Sequence, residues 1–216
     1  SGYNYACLKR LFETFHPVVE TKDRLQAADL EGASILVVYI PDKAFTKDEV
    51  GLIHDFVRAG GGLFLIGDHP NVFGSTSNLN DLCDRFGFQF RDDVLFDLDG
   101  DFHQVIDPPQ CGRSAFWHGM AFFKLRGPCS IRPTSLATRC VYQVGNSKGI
   151  RAIYSVNTFY PPPHDDPRMQ TGDFCVAATA RYGRGRIAAW GDSTVFSNFE
   201  IFYPGKYEYL LNTLQW

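Results

Sequence analysis

The stretch "AGGGLFLIGDHPNVFG", Ala59 to Gly74, decides how the chain is read. Gly60 to Gly62 stop whatever helix precedes them. Leu63 to Ile66 then form a short continuous apolar run, the pattern of a strand buried on both faces. The run opens directly onto Gly67, Asp68, His69, Pro70 and Asn71. An acid, an imidazole and an amide therefore stand where a buried strand reaches the surface. In open α/β sheets, ligands bind at that edge, beyond the carboxyl ends of the strands.

Upstream, "ASILVVYI" (Ala33 to Ile40) is a second apolar run, bounded by Gly32 and Pro41, and reads as a central parallel strand. Between the two runs, Thr46 and Glu49 form a capping box. Val50, Ile53, Phe56 and Val57 supply the apolar stripe of the helix it starts. Tyr5 to Phe15 carries apolar residues at helical spacing, a short strand is expected near Pro17 to Glu20, and Asn78 to Phe86 reads as a further helix. This alternation predicts an α/β layered sheet. The chain opens on a helix where such folds open on a strand, and Ser1-Gly2 has the look of a fragment start. A first strand, signal or anchor upstream is therefore expected.

From Gly87 the pattern changes. Short strand-like runs, "VLFDLD", "AFFKL", "CSIRP", "TRCVYQV" and "RAIYSV", alternate with Pro and Gly turns, and "FYPPPHDDPRMQTG" is a proline-rich loop. Residues 87–172 are expected to form a β-rich insertion with loops inside a single domain spanning 1–216. Asp173 to Arg181 and Arg184 to Trp190 flank the glycines of "YGRGR" as a hairpin. Tyr209, Leu210, Thr213 and Leu214 mark a closing helix.

The 216 residues are enough for one sizeable core. A 44% hydrophobic and 21% charged composition is that of a folded chain, not a disordered one. The net charge is −3 and no basic block occurs, so nucleic acid is not an expected partner. No apolar run has the length of a membrane span. Six cysteines occur without a C-x-x-C pair, which argues against a zinc ribbon. Disulfides and buried thiols both stay open.

Two strands end alike. "LFLIGDH" ends in Gly67-Asp68-His69 and "IAAWGDS" in Gly191-Asp192-Ser193. Each glycine allows a sharp turn, and an acid follows at once. If the strands are close in the sheet, Asp68 and Asp192 enter one crevice, with His69, Asn71, Ser193 and Asn198 around it. The plainer reading is that each Asp caps the helix behind it. Asp68, His69 and Asp192 are also candidate metal ligands, with donors suited to zinc, manganese or calcium. His118, in "FWHGM", either joins them or packs among aromatics. The acidic run "RDDVLFDLDGD" is not a calcium loop: counted from Asp97, the sixth and twelfth positions are Phe102 and Pro108. No G-x-S-x-G elbow and no nucleotide-binding glycine motif occurs. The late "GDS" lacks the D-x-x-H partner block of GDS-type esterases.

Taken together, "FVRAGGGLFLIGDH", "GRGRIAAWGDSTVFSN" and "YLLNTLQW" resemble the class I glutamine-amidotransferase-like fold. Within it they are similar to domains related to the gliding protein GldG, the intraflagellar-transport targeting domain and DUF4350. The resemblance covers roughly the first third and last fifth of the chain. It implies a flavodoxin-like, mostly parallel sheet flanked by helices. Glutamine amidotransferases carry a cysteine at the elbow that here is Gly67-Asp68, so thiol chemistry is not expected. Trehalose-utilisation-like relatives carry a histidine near this elbow, which draws attention to His69. The resemblance further implies an extracytoplasmic domain of a membrane-anchored parent protein.

The expected function is binding of a small polar ligand, with carbohydrate as one class, or of a partner protein. The ligand-binding residues would be Asp68, His69, Asn71, Asp192, Ser193 and Asn198. The alternatives are a hydrolase using Asp68 or His69 as general base, with or without a divalent metal, and a structural scaffold. No organic cofactor is expected.

Overall fold

The computed structural model describes residues 4–18, 20, 23–69, 71–98, 103–106, 115–120, 123–151 and 165–216. In chain order the elements are α1 (Ala6–Phe15), β1 (Ile35–Tyr39), α2 (Lys47–Arg58), β2 (Gly62–Ile66), α3 (Ser75–Cys83), β3 (Phe88–Phe90) and β4 (Asp93–Asp97). They continue with β5 (His103–Ile106), β6 (Phe123–Arg126), β7 (Ile131–Pro133), β8 (Arg139–Arg151), β9 (Gln170–Tyr182), β10 (Gly185–Trp190) and α4 (Lys206–Gln215). The predicted capping box starts α2: Thr46 Oγ1 accepts the Glu49 N–H at 3.2 Å, and Glu49 Oε2 accepts the Thr46 N–H at 2.7 Å. Among the described residues, no helix is long and apolar enough to cross a membrane.

Six strands form one sheet in the order β1-β2-β10-β9-β8-β4. β2 pairs in parallel with β1 and with β10, whereas β10–β9, β9–β8 and β8–β4 are antiparallel. The sheet is thus mixed, not mostly parallel as expected. The hairpin through Gly183, with a φ of 59°, makes β10–β9 antiparallel as its glycines predict, and the antiparallel pairing of β8 and β4, which no short run encodes, supplies the rest. The β-rich middle of the chain is also no appendage, because β4, β8 and the start of β9 complete the main sheet. β3–β7 and β5–β6 form two small separate ladders.

Side chains alternate across β2 as a strand requires. Leu63 and Leu65 join Ile53 and Val57 of α2 and Leu79 and Leu82 of α3 in one core. Phe64 and Ile66 join Leu8 of α1, Tyr209 and Leu210 of α4, and Trp190 of β10 in the other. Helices therefore cover both faces of the parallel part. β1, predicted to be central, is an edge strand on which Val38 alone is fully buried. Pro17, Val18 and Glu20 belong to no strand; proline lacks the N–H that a ladder needs. Cys140 and Cys175 form a disulfide between β8 and β9. Cys83 and Cys129 are buried thiols and Cys7 is a partly exposed one. Cys111, Phe102, Pro108, most of "RAIYSV" and the prolines of the "FYPPPH" loop lie outside the described residues.

Candidate functional site

β2 and β10 are neighbours, and their register pairs Ile66 with Trp190. The Gly67 N–H donates to the Trp190 carbonyl at 2.8 Å. Two residues on, the same register brings Asp68 and Asp192 to the same level of the sheet edge. The strand adjacency on which a shared site depended is therefore present.

Neither glycine works by turning the chain, since neither has a positive φ. Both permit close approach. A Cβ on Gly67 would stand 2.9 Å from the Phe90 ring, and one on Gly191 would stand 2.2 Å from the Cys129 carbonyl oxygen. The chain from β6 to Ser130 consequently lies tightly over the edge. Arg126 N–H donates to Asp192 Oδ2 at 2.6 Å, and Cys129 N–H donates to the Gly191 carbonyl at 2.8 Å. The site is a roofed cluster, not the open crevice expected. Asp192 is 0% exposed and Asp68 8%, while the His69 side chain keeps 15%. A groove of about 400 Å³ opens at the opposite edge, lined by Arg184, Arg186 and Trp216 among others, with no acidic side chain in its lining.

Within the cluster Asp68 is the hub. Its Oδ2 accepts the Ser193 hydroxyl at 2.6 Å, and its Oδ1 accepts the His69 backbone N–H at 2.9 Å. His69 Nδ1 lies 3.0 Å from the same Oδ1, at ion-pair distance but without the alignment of a full hydrogen bond. Burial pulls the His69 pKa down, yet the charge of Asp68, its contact and the charge of Asp192 outweigh this and hold it above the ordinary value. Asp192 Oδ1 is buried with no hydrogen-bond partner among the described residues.

Three residues outside the sequence-predicted set complete the cluster. Arg126 Nη2 meets Glu200 Oε1 at 2.5 Å. Lys206, fully buried, donates its ammonium to the Lys124 carbonyl and sits 4.3 Å from the Phe123 ring centroid. Burial pulls its pKa down to about 8 against the charges of Asp192 and Glu200. One signal for Lys206 existed: it shares a helical stripe with Tyr209, Leu210 and Thr213, and a lysine in an apolar stripe is a buried lysine.

The capping role falls to a different residue from those expected. Asp192 makes no side-chain cap to the 3₁₀ turn that follows it. Asn71, in a left-handed conformation, instead accepts the N–H groups of Thr76 and Ser77 at 2.9 and 3.1 Å and so caps α3. Its amide also donates to Ser77 Oγ at 2.9 Å, so the side chain is turned to the helix. Asn198 Oδ1 accepts the Cys7 N–H at 2.9 Å and ties down α1. His118 is exposed, neither in the cluster nor packed among aromatics. No group of three or more His, Cys, Asp or Glu among the described residues has the arrangement to hold a metal ion.

Burial and the charge of Asp68 push the Asp192 pKa from 3.8 to about 6, against the pull of Lys206, the Arg126 N–H and His69. The folded state therefore holds a proton that the unfolded chain has released between about pH 4 and pH 6, and stability falls as pH rises through that window. At about 1.4 kcal/mol per pH unit, the fall is roughly 3 kcal/mol. Asp192→Asn is expected to flatten it. Urea midpoints at pH 4 and pH 7 measure this, and an unchanged difference in the variant refutes the assignment.

With the geometry in place, sequence comparison identifies the kind of domain. The model of a domain of unknown function, DUF4350, matches residues 11–214. The chain belongs to the DUF4350 family. No curated protein matches it. Among solved structures, this DUF4350 chain is similar to the mmIFT52 N-terminal domain, at 13% identity over 98% of this chain and 89% of that one, with a TM-score of 0.69. It is also similar to the cytoplasmic protein STM1381 of Salmonella typhimurium LT2, at 14% identity over 98% and 86% of the two chains, with a TM-score of 0.59. At such identities the likeness is one of fold.

Proposed function

We propose that this DUF4350 domain binds a small polar, hydroxyl-rich ligand such as a carbohydrate at the β2–β10 edge, with His69 and Asp192 as its principal contacts. The observation that carries this reading is Asp192 Oδ1, a buried carboxylate oxygen without a donor among the described residues. A buried acceptor in that state is costly and calls for a donor from a ligand or a water.

The domain is further read as an amidotransferase-like, flavodoxin-related unit without thiol chemistry. The parallel β1-β2-β10 core supports the kinship. Cys129 is the thiol near the site. Burial, and then the charges of Asp93, Asp68 and Asp192, push its pKa well up, the reverse of what a nucleophile needs. An extracytoplasmic position in a membrane-anchored parent fits the Cys140–Cys175 disulfide, since such bonds persist in oxidising compartments.

Saturation-transfer NMR against neutral mono- and disaccharides, followed by calorimetry on any hit, tests the ligand. His69→Ala and Asp192→Asn are each expected to weaken binding about 10- to 100-fold, the loss of one charge-assisted hydrogen bond. A hit whose affinity neither variant changes removes the site from the proposal. A second reading is favoured by the 3.0 Å approach of Asp68 to His69 Nδ1, which suits a histidine general base. Hydrolysis of nitrophenyl glycosides or esters, with and without added Zn²⁺ or Mn²⁺, is its assay. Activity that survives His69→Ala counts against it. A partner protein, or a purely structural role, is what remains if both screens are negative.

A further inference from the structure

The cluster contains a continuous polar ladder that reaches His69. Ser193 is fully buried. Its Oγ donates to Asp68 Oδ2 at 2.6 Å and lies 3.3 Å from the Tyr5 hydroxyl. Its carbonyl accepts the Tyr39 hydroxyl at 3.0 Å. The Tyr5 and Tyr39 rings pack with centroids 4.4 Å apart. On the far side of Asp68, Oδ1 faces both the backbone N–H and the Nδ1 of His69. Burial raises the pKa of both tyrosines, so both hydroxyls stay protonated at any working pH.

We infer that Ser193 and Tyr5 are positioning residues: they fix the Asp68 carboxylate, which in turn holds the His69 imidazole in one orientation with its proton on Nδ1. Ser193 is then neither a nucleophile nor a ligand contact. A serine nucleophile needs its hydroxyl on the imidazole, and here Asp68 stands between them. A carboxylate facing Nδ1 favours the tautomer that carries a proton there, as the orienting acid of a dyad does. Imperfect alignment of such a contact is common before a ligand is bound. Because Tyr5 lies at the N-terminus of α1 and Tyr39 at the end of β1, the ladder couples the seating of α1 to the state of the histidine. The inference rests on the reading of His69 as the working group of the site, yet its test needs no ligand.

Long-range ¹H–¹⁵N spectra of the ¹⁵N-labelled protein, with the His69 signal assigned by its loss in His69→Gln, report the tautomer directly. At a pH where His69 is neutral, the unsubstituted protein is expected to show the Nδ1-protonated form. Ser193→Ala is expected to convert it to a mixture, moving both ring nitrogens toward the average of the two forms. Tyr5→Phe should move them the same way by less, and Ser193→Thr should restore them. A merely structural serine would lower the melting temperature without altering the tautomer. Unchanged nitrogen shifts in a folded Ser193→Ala protein overturn the inference. If that variant does not fold, unchanged shifts in Tyr5→Phe do so. A negative saccharide screen touches the proposed ligand and leaves this result standing, so the two can fail separately.

Discussion

Glu200→Ala is expected to cost about 3–5 kcal/mol of stability, because it strands positive charge in the interior. Glu200 is buried, and its carboxylate meets Arg126, whose side chain is 25% exposed. Lys206, wholly buried, senses the charges of Glu200 and Asp192. Removing Glu200 takes away one of the two acids whose charges Lys206 senses. Part of the Coulomb attraction that offset the lysine's desolvation is then lost while the desolvation cost remains. At about 2–4 °C per kcal/mol for a chain of this size, the melting temperature should fall by roughly 10 °C. Lys206→Met keeps the apolar stem over Phe123 and removes one stranded charge. In the Glu200→Ala background it should recover at least about 1 kcal/mol, a non-additivity that a double-mutant cycle of denaturation midpoints detects. Strictly additive losses would mean that Glu200 acts by packing and not by charge.

How far the sequence foretold this site depends on the kind of contact. The apolar run Leu63–Ile66, the Thr46–Glu49 box and the hairpin glycines carry local signals, and α1, α2, β2, β9, β10 and α4 lie where those signals put them. Asp68 and Asp192 were visible because two strands end in the same Gly-Asp pair, and the β2–β10 register brings them level. The direction of β8 and β4 was not visible, since strand pairing is a long-range choice that alternation in a short run does not encode. Nor was the roof. Arg126 reaches Asp192 across 66 residues and Lys206 reaches Lys124 across 82, with no motif to join them. Gly67 and Gly191 act through close approach, not through the conformational freedom that their place at strand ends suggests.

That last distinction yields the second large effect. Gly191→Ala is expected to destabilise the protein by about 2–3 kcal/mol, at the upper end of overpacking costs. A turn glycine with negative φ would accept alanine at little cost, and Gly191 is outside the positive-φ region. What alanine meets instead is the Cys129 carbonyl oxygen at 2.2 Å, with the carbonyl carbon and thiol of the same residue also close, at 3.2 and 3.3 Å. The obstacle is backbone held by its own N–H to the Gly191 carbonyl, so it cannot swing aside as a flexible side chain does. Gly67→Ala is the matched control, because its Cβ meets the Phe90 side chain at 2.9 Å and not backbone. The loss at Gly191 should therefore exceed that at Gly67. It should also come with faster amide exchange at Arg126 and Cys129, whose N–H groups bond to Asp192 and Gly191. Equal losses with unchanged exchange would mean that the segment over Asp192 is loosely seated, and the closed character of the site would have to be given up.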